Sequence, residues 1–184
     1  MTTQTKVKII KLKVETIKSK VEEITKLKLG KVYKDVGGIR EMIGKHNITE
    51  NFVIVVEFQE GGYLGIVVNG KFDKVEYGVR YSYDKIPIQI FSLSGTKIYT
   101  LNIDTVNHSI ISDNGENAYF IGKDGSDEAI EINMTAGFIA FSKNLNKYFG
   151  IEPDKFIEEF TGRYKPINWH MEDIKDVTIC TISQ

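Results

Sequence analysis

The sequence predicts an α+β fold, an antiparallel β-rich domain with two C-terminal helices and a long basic N-terminal helix. Three observations predict it. Segments of strand character recur from residue 52 to residue 134, separated by short turns rich in Gly, Asn and Asp. After residue 134 the apolar spacing changes to three and four, the period of a helix. Before residue 30 stands a lysine-rich stretch with its own heptad pattern. Strands joined by short turns form a meander of hairpins, so a parallel sheet with helical crossovers is not expected. The chain divides accordingly into an arm (1–29), a connector (30–49) and the β-rich domain (50–184).

In the arm, Val7, Ile10, Val14, Ile17, Val21 and Ile24 alternate steps of three and four, which makes a seam of three heptads. No Pro or Gly interrupts it before Gly30, a residue suited to a helix C-terminus. The flanking Lys11, Lys13, Lys18 and Lys20 would repel one another across a symmetric pair of helices. Residues 7–14 also alternate with period two, which admits an edge strand there and a helix starting near Thr16. Within the connector, Val36-Gly37-Gly38 reads as a turn and residues 39–43 as one helical turn.

In the β-rich domain, residues 52–58 form an apolar run of strand length. Residues 63–68 and 71–83 flank Asn69-Gly70, the strongest short hairpin signal in the chain. Val75, Tyr77, Val79, Tyr81 and Tyr83 fall on one face of the second strand, which reads as half-buried. Ser94-Gly95, Asp113-Asn114-Gly115 and the loop 123–128 read as three more turns. Thr135 is a candidate cap for a helix running to Phe149, with Phe138, Phe141, Leu145 and Tyr148 on one face. Gly150 ends that helix, Pro153 starts the next and Gly162 ends it. Residues 163–176 read as irregular, and 177–182 as a last strand with protein on both faces.

Composition bounds the function. The 184 residues are 41% hydrophobic, enough for a packed core. A lone cysteine, Cys180, excludes an intrachain disulfide framework and any multi-cysteine zinc site. Lysines interrupt the first 34 residues and no apolar stretch approaches a membrane span, so the cytoplasm is the expected compartment. Lysine outnumbers arginine 21 to 3, a coding bias that suits a low-GC bacterium, one of its phages or another AT-rich virus. The net charge of −1 conceals +7 on residues 1–34 and −8 on the remainder. That asymmetry has two outlets: an external anion, or the acidic body of the same or a sister chain.

Few residues suggest chemistry. His46, His108 and His170 lie far in sequence from any other soft ligand, so zinc-like spacing is absent. Trp169 and His170 form an aromatic and acidic cluster with Met171, Glu172 and Asp173. His170 beside Cys180 would make a nucleophile–base pair, against which stands the strand-like, inert setting of the cysteine. Asp113, Glu116, Asp124, Asp127 and Glu128 could bind calcium, but acidic glycine-containing turns are ordinary. The helices around Gly150 have helix-turn-helix spacing, yet Glu152, Asp154, Glu158 and Glu159 would repel a phosphate backbone. Gly61-Gly62-Tyr63-Leu64-Gly65 lacks the Lys-Ser/Thr ending of a phosphate loop. Among Arg40, Arg80 and Arg163, the last two are the better candidates for an anion contact.

These residues predict no catalytic group, no metal and no cofactor. The expectation is a non-enzymatic binding protein acting as a homo-oligomer, a dimer or trimer held by the arm's seam. A viral accessory protein engaging a host macromolecule fits the coding bias. Nucleic acid or an acidic protein held by Lys11, Lys13, Lys18 and Lys20 is the alternative. A small-ligand or nucleotide binder with a loop-built pocket is the second.

Overall fold

The computed structural model describes residues 3–34, 36–71, 75–76, 80–83, 88–102, 109–113, 118–122, 128–162 and 170–183. The arm is one helix, α1 (Thr3–Thr25), which settles residues 6–15 as helix rather than edge strand. No Pro or Gly breaks it, and it stops where Lys26 takes a left-handed φ of 61°. The Glu22 carboxylate then accepts the Leu29 N–H at 3.0 Å and turns the chain into β1 (Lys28–Lys34). That strand occupies the first part of the expected connector. Its lysines at every third position hid the apolar Leu29 and Val32 that face protein. Helix α2 (Ile39–His46) follows, longer than one turn, and ends on Asn47 at φ 56°.

Strand β2 (Glu50–Phe58) turns through Gly61 and Gly62, both at positive φ, into β3 (Tyr63–Lys71). Asn69-Gly70 is not a hairpin turn: β3 runs through it, and Lys71 pairs with Glu50. The register shifts between Glu50 and Phe52, where Asn51 has φ 49°, so the turn-forming residues accommodate a bulge. The expected strand 71–83 is likewise two strands. β4 (Val75–Glu76) and β5 (Arg80–Tyr83) pair with each other, Val75 opposite Tyr81.

The next hairpins agree with the sequence. β6 (Ile88–Ser92) pairs with β7 (Ile98–Thr100) across Ser94-Gly95, and β8 (Ser109–Asp113) pairs with β9 (Ala118–Gly122). β9 pairs in turn with β10 (Glu128–Asn133). Thr135 does not cap a helix. Asn133 instead closes a tight turn through its side chain, Ala136 N–H to Oδ1 at 2.8 Å, with Gly137 at φ 75°. The chain returns as β11 (Phe138–Phe141), because these four residues fill a slot between two strands. Only then come α3 (Asn144–Phe149) and α4 (Pro153–Thr161), ended by Gly150 and Gly162 as expected.

Residues 170–176 are not irregular. They belong to β12 (His170–Ser183), the longest strand. Its first part pairs with β11, residues 174–181 pair with β2, and residues 178–183 pair with β1. The sheet order is β4-β5-β8-β9-β10-β11-β12-β2-β3-β6-β7, antiparallel throughout, with β1 beside β12. The meander is therefore broken at β12, which joins its two halves.

The main core lies on one face of β2, β3 and β6, where Phe52, Ile54, Val56, Phe58, Leu64 and Ile66 meet α2, α3, α4 and β9 to β11. On the opposite face Val53, Val55, Val67, Phe91 and Cys180 form a second cluster, covered by Ile17 and Val21 of α1. Burial on both faces explains the apolar run at 52–56, which Glu57 interrupts before Phe58. No helix among the described residues is long and apolar enough to cross a membrane.

Candidate ligand-binding cleft

Four elements converge beside the second cluster and leave a cleft of about 740 Å³ between them. On α1, Lys13, Thr16, Ile17 and Lys20 line it. Their spacing of three, four and seven places all of them on one helix face. The β2–β3 hairpin contributes Gly62 and Tyr63, and the turn after β6 contributes Leu93 and Ser94. The end of α4 contributes Glu159, Phe160 and Gly162. Apolar surface dominates the lining, and the volume falls in the range of small-molecule sites.

Two polar clusters frame the cleft. The first is built on Glu57, a carboxylate in an otherwise apolar strand and only 6% exposed. Lys13 Nζ lies 2.6 Å from its Oε1 and Lys175 Nζ 3.6 Å from the same atom. Burial pushes the Glu57 pKa upward, but Lys13, Tyr63 and Lys175 together outweigh it and leave the value below the ordinary one. Tyr63, itself pushed up to about 12 by burial and by Glu57, stays a neutral hydroxyl. Asp176 stands directly opposite Glu57 across the sheet and is bridged by Lys34 at 2.9 Å. Two carboxylates face to face would repel, and each is answered by a lysine from residues 1–34.

The second cluster holds the end of α4. Ser92 Oγ and Ser94 Oγ both donate to the Glu159 carbonyl, at 3.1 and 2.7 Å. The Tyr99 hydroxyl donates to Glu159 Oε1, and burial followed by this hydrogen bond raises the Tyr99 pKa. Phe160, one residue on, stacks against Phe58 with centroids 4.8 Å apart. This wall of the cleft is thereby fixed from three sides.

Of the residues singled out from sequence, Lys13 and Lys20 lie in the cleft, and Lys18 lies along α1 close enough to influence Cys180. Ile17 and Val21 are buried against the chain's own sheet, with Ile24 partly buried beside them, so these seam positions have their apolar partner within the molecule. Val7, Ile10 and Lys11 sit on the first part of α1, Arg80 opens β5 and His170 opens β12; for these the description stops at the backbone. Arg163, Trp169, His108 and the loops 114–117 and 123–127 lie outside the described residues. His170 cannot pair with Cys180: both stand on β12, separated by on the order of 30 Å of extended chain. Cys180 is fully buried, and burial pushes its thiol up to about 11.

Sequence reasoning missed Glu57, Tyr63, Ser94, Tyr99 and Glu159. Glu57 had a signal, since a lone carboxylate within a continuous apolar strand must find a cation or remain neutral. The others are ordinary residues brought together only by the sheet order.

The fold and cleft define a class: an antiparallel α+β protein whose sheet is covered on its second face by one amphipathic helix, with a ligand-sized gap beneath it. No protein-family model and no curated protein matches the chain.

Proposed function

We propose that this chain is a non-enzymatic binding protein and that the cleft beneath α1 holds a small, largely apolar ligand. The cleft itself carries this reading: a gap of about 740 Å³ with an apolar floor and a few polar groups at its rim. The titratable groups around it favour binding over catalysis. Glu57 is held charged, while Tyr63, Tyr99 and Cys180 are held neutral, so each is stabilised in the form it already has near pH 7. A general acid or base needs the opposite, a pKa near the working pH. The arm is also a weaker polyanion site than its composition suggests, because Lys13 already pairs with Glu57.

The test is binding of an environment-sensitive apolar dye to the full chain. Ser94→Trp, which places an indole in the cleft, should abolish the fluorescence gain while leaving the melting curve cooperative. Unchanged dye binding by that variant would remove the cleft from consideration.

A homo-oligomer formed through α1 is a second reading. Its support is reduced to Val7, Ile10 and Val14, since Ile17 and Val21 pack on the sheet. Light scattering that gives a monomer mass across a hundredfold range of concentration would end it.

A further inference from the structure

The sheet leaves three strands with an open side, and they differ in length. β4 and β7 end its main path and are 2 and 3 residues long. Edges that short offer an incoming strand too few backbone groups to hold it. β1 has 7 residues, and among the described residues it pairs only with β12, so its outer edge is unpaired. We propose that this edge is a latent self-association surface, kept from pairing with β1 of a second copy chiefly by the charges of Lys28 and Lys31. Three observations support this.

The first is that β1 is otherwise well made for pairing. Leu29 is buried and Val32 partly buried in the cluster under α1, and Tyr33 packs against the main core. A second strand added beside it would extend a sheet that already has layers on both faces. An unguarded edge of this kind is where chains associate.

The second is the disposition of charge. Lys34 Nζ is held by Asp176 at 2.9 Å, whereas Lys28 and Lys31 are exposed and no carboxylate pairs with either among the described residues. Two copies of β1 are antiparallel about a two-fold axis, and the register that pairs all 7 residues turns about Lys31. Lys31 then stands opposite itself and Lys28 opposite Lys34. Like charges directly opposite are destabilising.

The third is a bulge that acts as a weaker guard. The register with β12 shifts between Leu29 and Val32. Lys31 turns its N–H inward to Thr181 Oγ1 at 2.8 Å, and a Cβ on Gly30 would stand 2.6 Å from that same oxygen. The donor of Lys31 is therefore taken, and the spacing of the edge is irregular where a partner would begin.

The experiment compares the full natural chain with Lys28→Thr/Lys31→Thr and Lys28→Arg/Lys31→Arg by light scattering over a range of concentrations, with amide hydrogen exchange on each. Both positions are exposed and both replacements suit a strand, so the two variants should melt as the natural chain does. The threonine variant should associate at about a tenfold lower concentration than the natural chain, and added salt should narrow that gap. The arginine variant keeps the charge and should match the natural chain. Association should slow exchange at residues 28–34. A threonine variant that associates no more readily than the natural chain would overturn the proposal, as would an arginine variant that follows the threonine one. Association that protects α1 and leaves residues 28–34 unchanged would overturn it too, by assigning self-association to the helix seam.

Discussion

The two faces of β2 are covered in different ways. On one face Phe52, Ile54, Val56 and Phe58 meet a wall of aromatic side chains, in which Phe156, Phe160 and Tyr148 are at most 2% exposed. Phe141, Phe156 and Phe160 pack edge-on and tilted at 5.4 to 6.0 Å. On the other face Val53 and Val55 meet a single helix through Ile17 and Val21, and Glu57 replaces a hydrocarbon at the end of the row. Three helices and strands β9 to β11 seal the first face. One helix cannot seal the second, because its apolar stripe is about two residues per turn wide while the strands beneath are 9 residues long. The uncovered remainder is the cleft. The difference teaches that the site lies where the second layer is incomplete, with the β2–β3 turn and the turn after β6 completing its lining.

Mutation at each face measures this contrast. Phe156→Ala opens a cavity in the sealed face and should cost about 3–5 kcal/mol in urea unfolding. Ile17→Ala, under the thinner cover, should cost about 2 kcal/mol, the low end for such changes, because the neighbouring cleft lets the helix resettle. Equal costs would break the comparison. Gly65→Ala probes the second face from below. Its Cβ would stand 2.2 Å from Cζ of Phe91, the residue paired with it across the sheet. The ring must lift toward α1, and a loss of about 1–2 kcal/mol is expected.

Smaller effects follow from the ion pair. Lys13→Gln should cost about 1 kcal/mol: Lys13 is 36% exposed, and Lys175 remains to hold Glu57. The pH dependence has a definite sign. The folded pKa of Glu57 is below its ordinary value of 4.5, so its contribution is complete above that value and is lost as pH falls through the depressed one. Glu57→Gln should flatten that acid limb of a stability–pH profile, and an unchanged limb would show that other carboxylates govern it. Least visible of all, the Cys180 thiol should resist a thiol reagent at pH 8 until the protein unfolds, since burial holds it protonated.

Much of the fold was legible in the sequence, and the reasons for the rest are physical. Gly150, Pro153 and Gly162 bounded α4 because capping chemistry is local. The run at 52–58 announced a strand buried on both sides. Asn69-Gly70 misled because the pair sits at a register shift inside β3 rather than at its end, so the strand runs on through residues that favour turns. Phe138 and Phe141 fit helical spacing over a stretch too short to separate periods, and the slot between β10 and β12 decided for a strand. The heptad in α1 was real, but its partner is a sheet rather than another helix for at least Ile17 and Val21. Of the cleft, only Lys13, Ile17 and Lys20 were legible. Tyr63, Ser94 and Glu159 come from three distant segments, and no spacing rule joins them.

Strand β12 sets a timetable for the molecule. Ile54 of β2 pairs with Ile179, so the central pair of the sheet closes a loop of about 125 residues. Until that closure, the apolar run at 52–58 has only β3 beside it, and its other edge is open to any strand it meets. Folding should be slow for a chain of this size, and the interval before β12 docks is when association with other copies is most probable. Glu57, a charge on that waiting strand, discourages such pairing until Lys13 and Lys175 reach it.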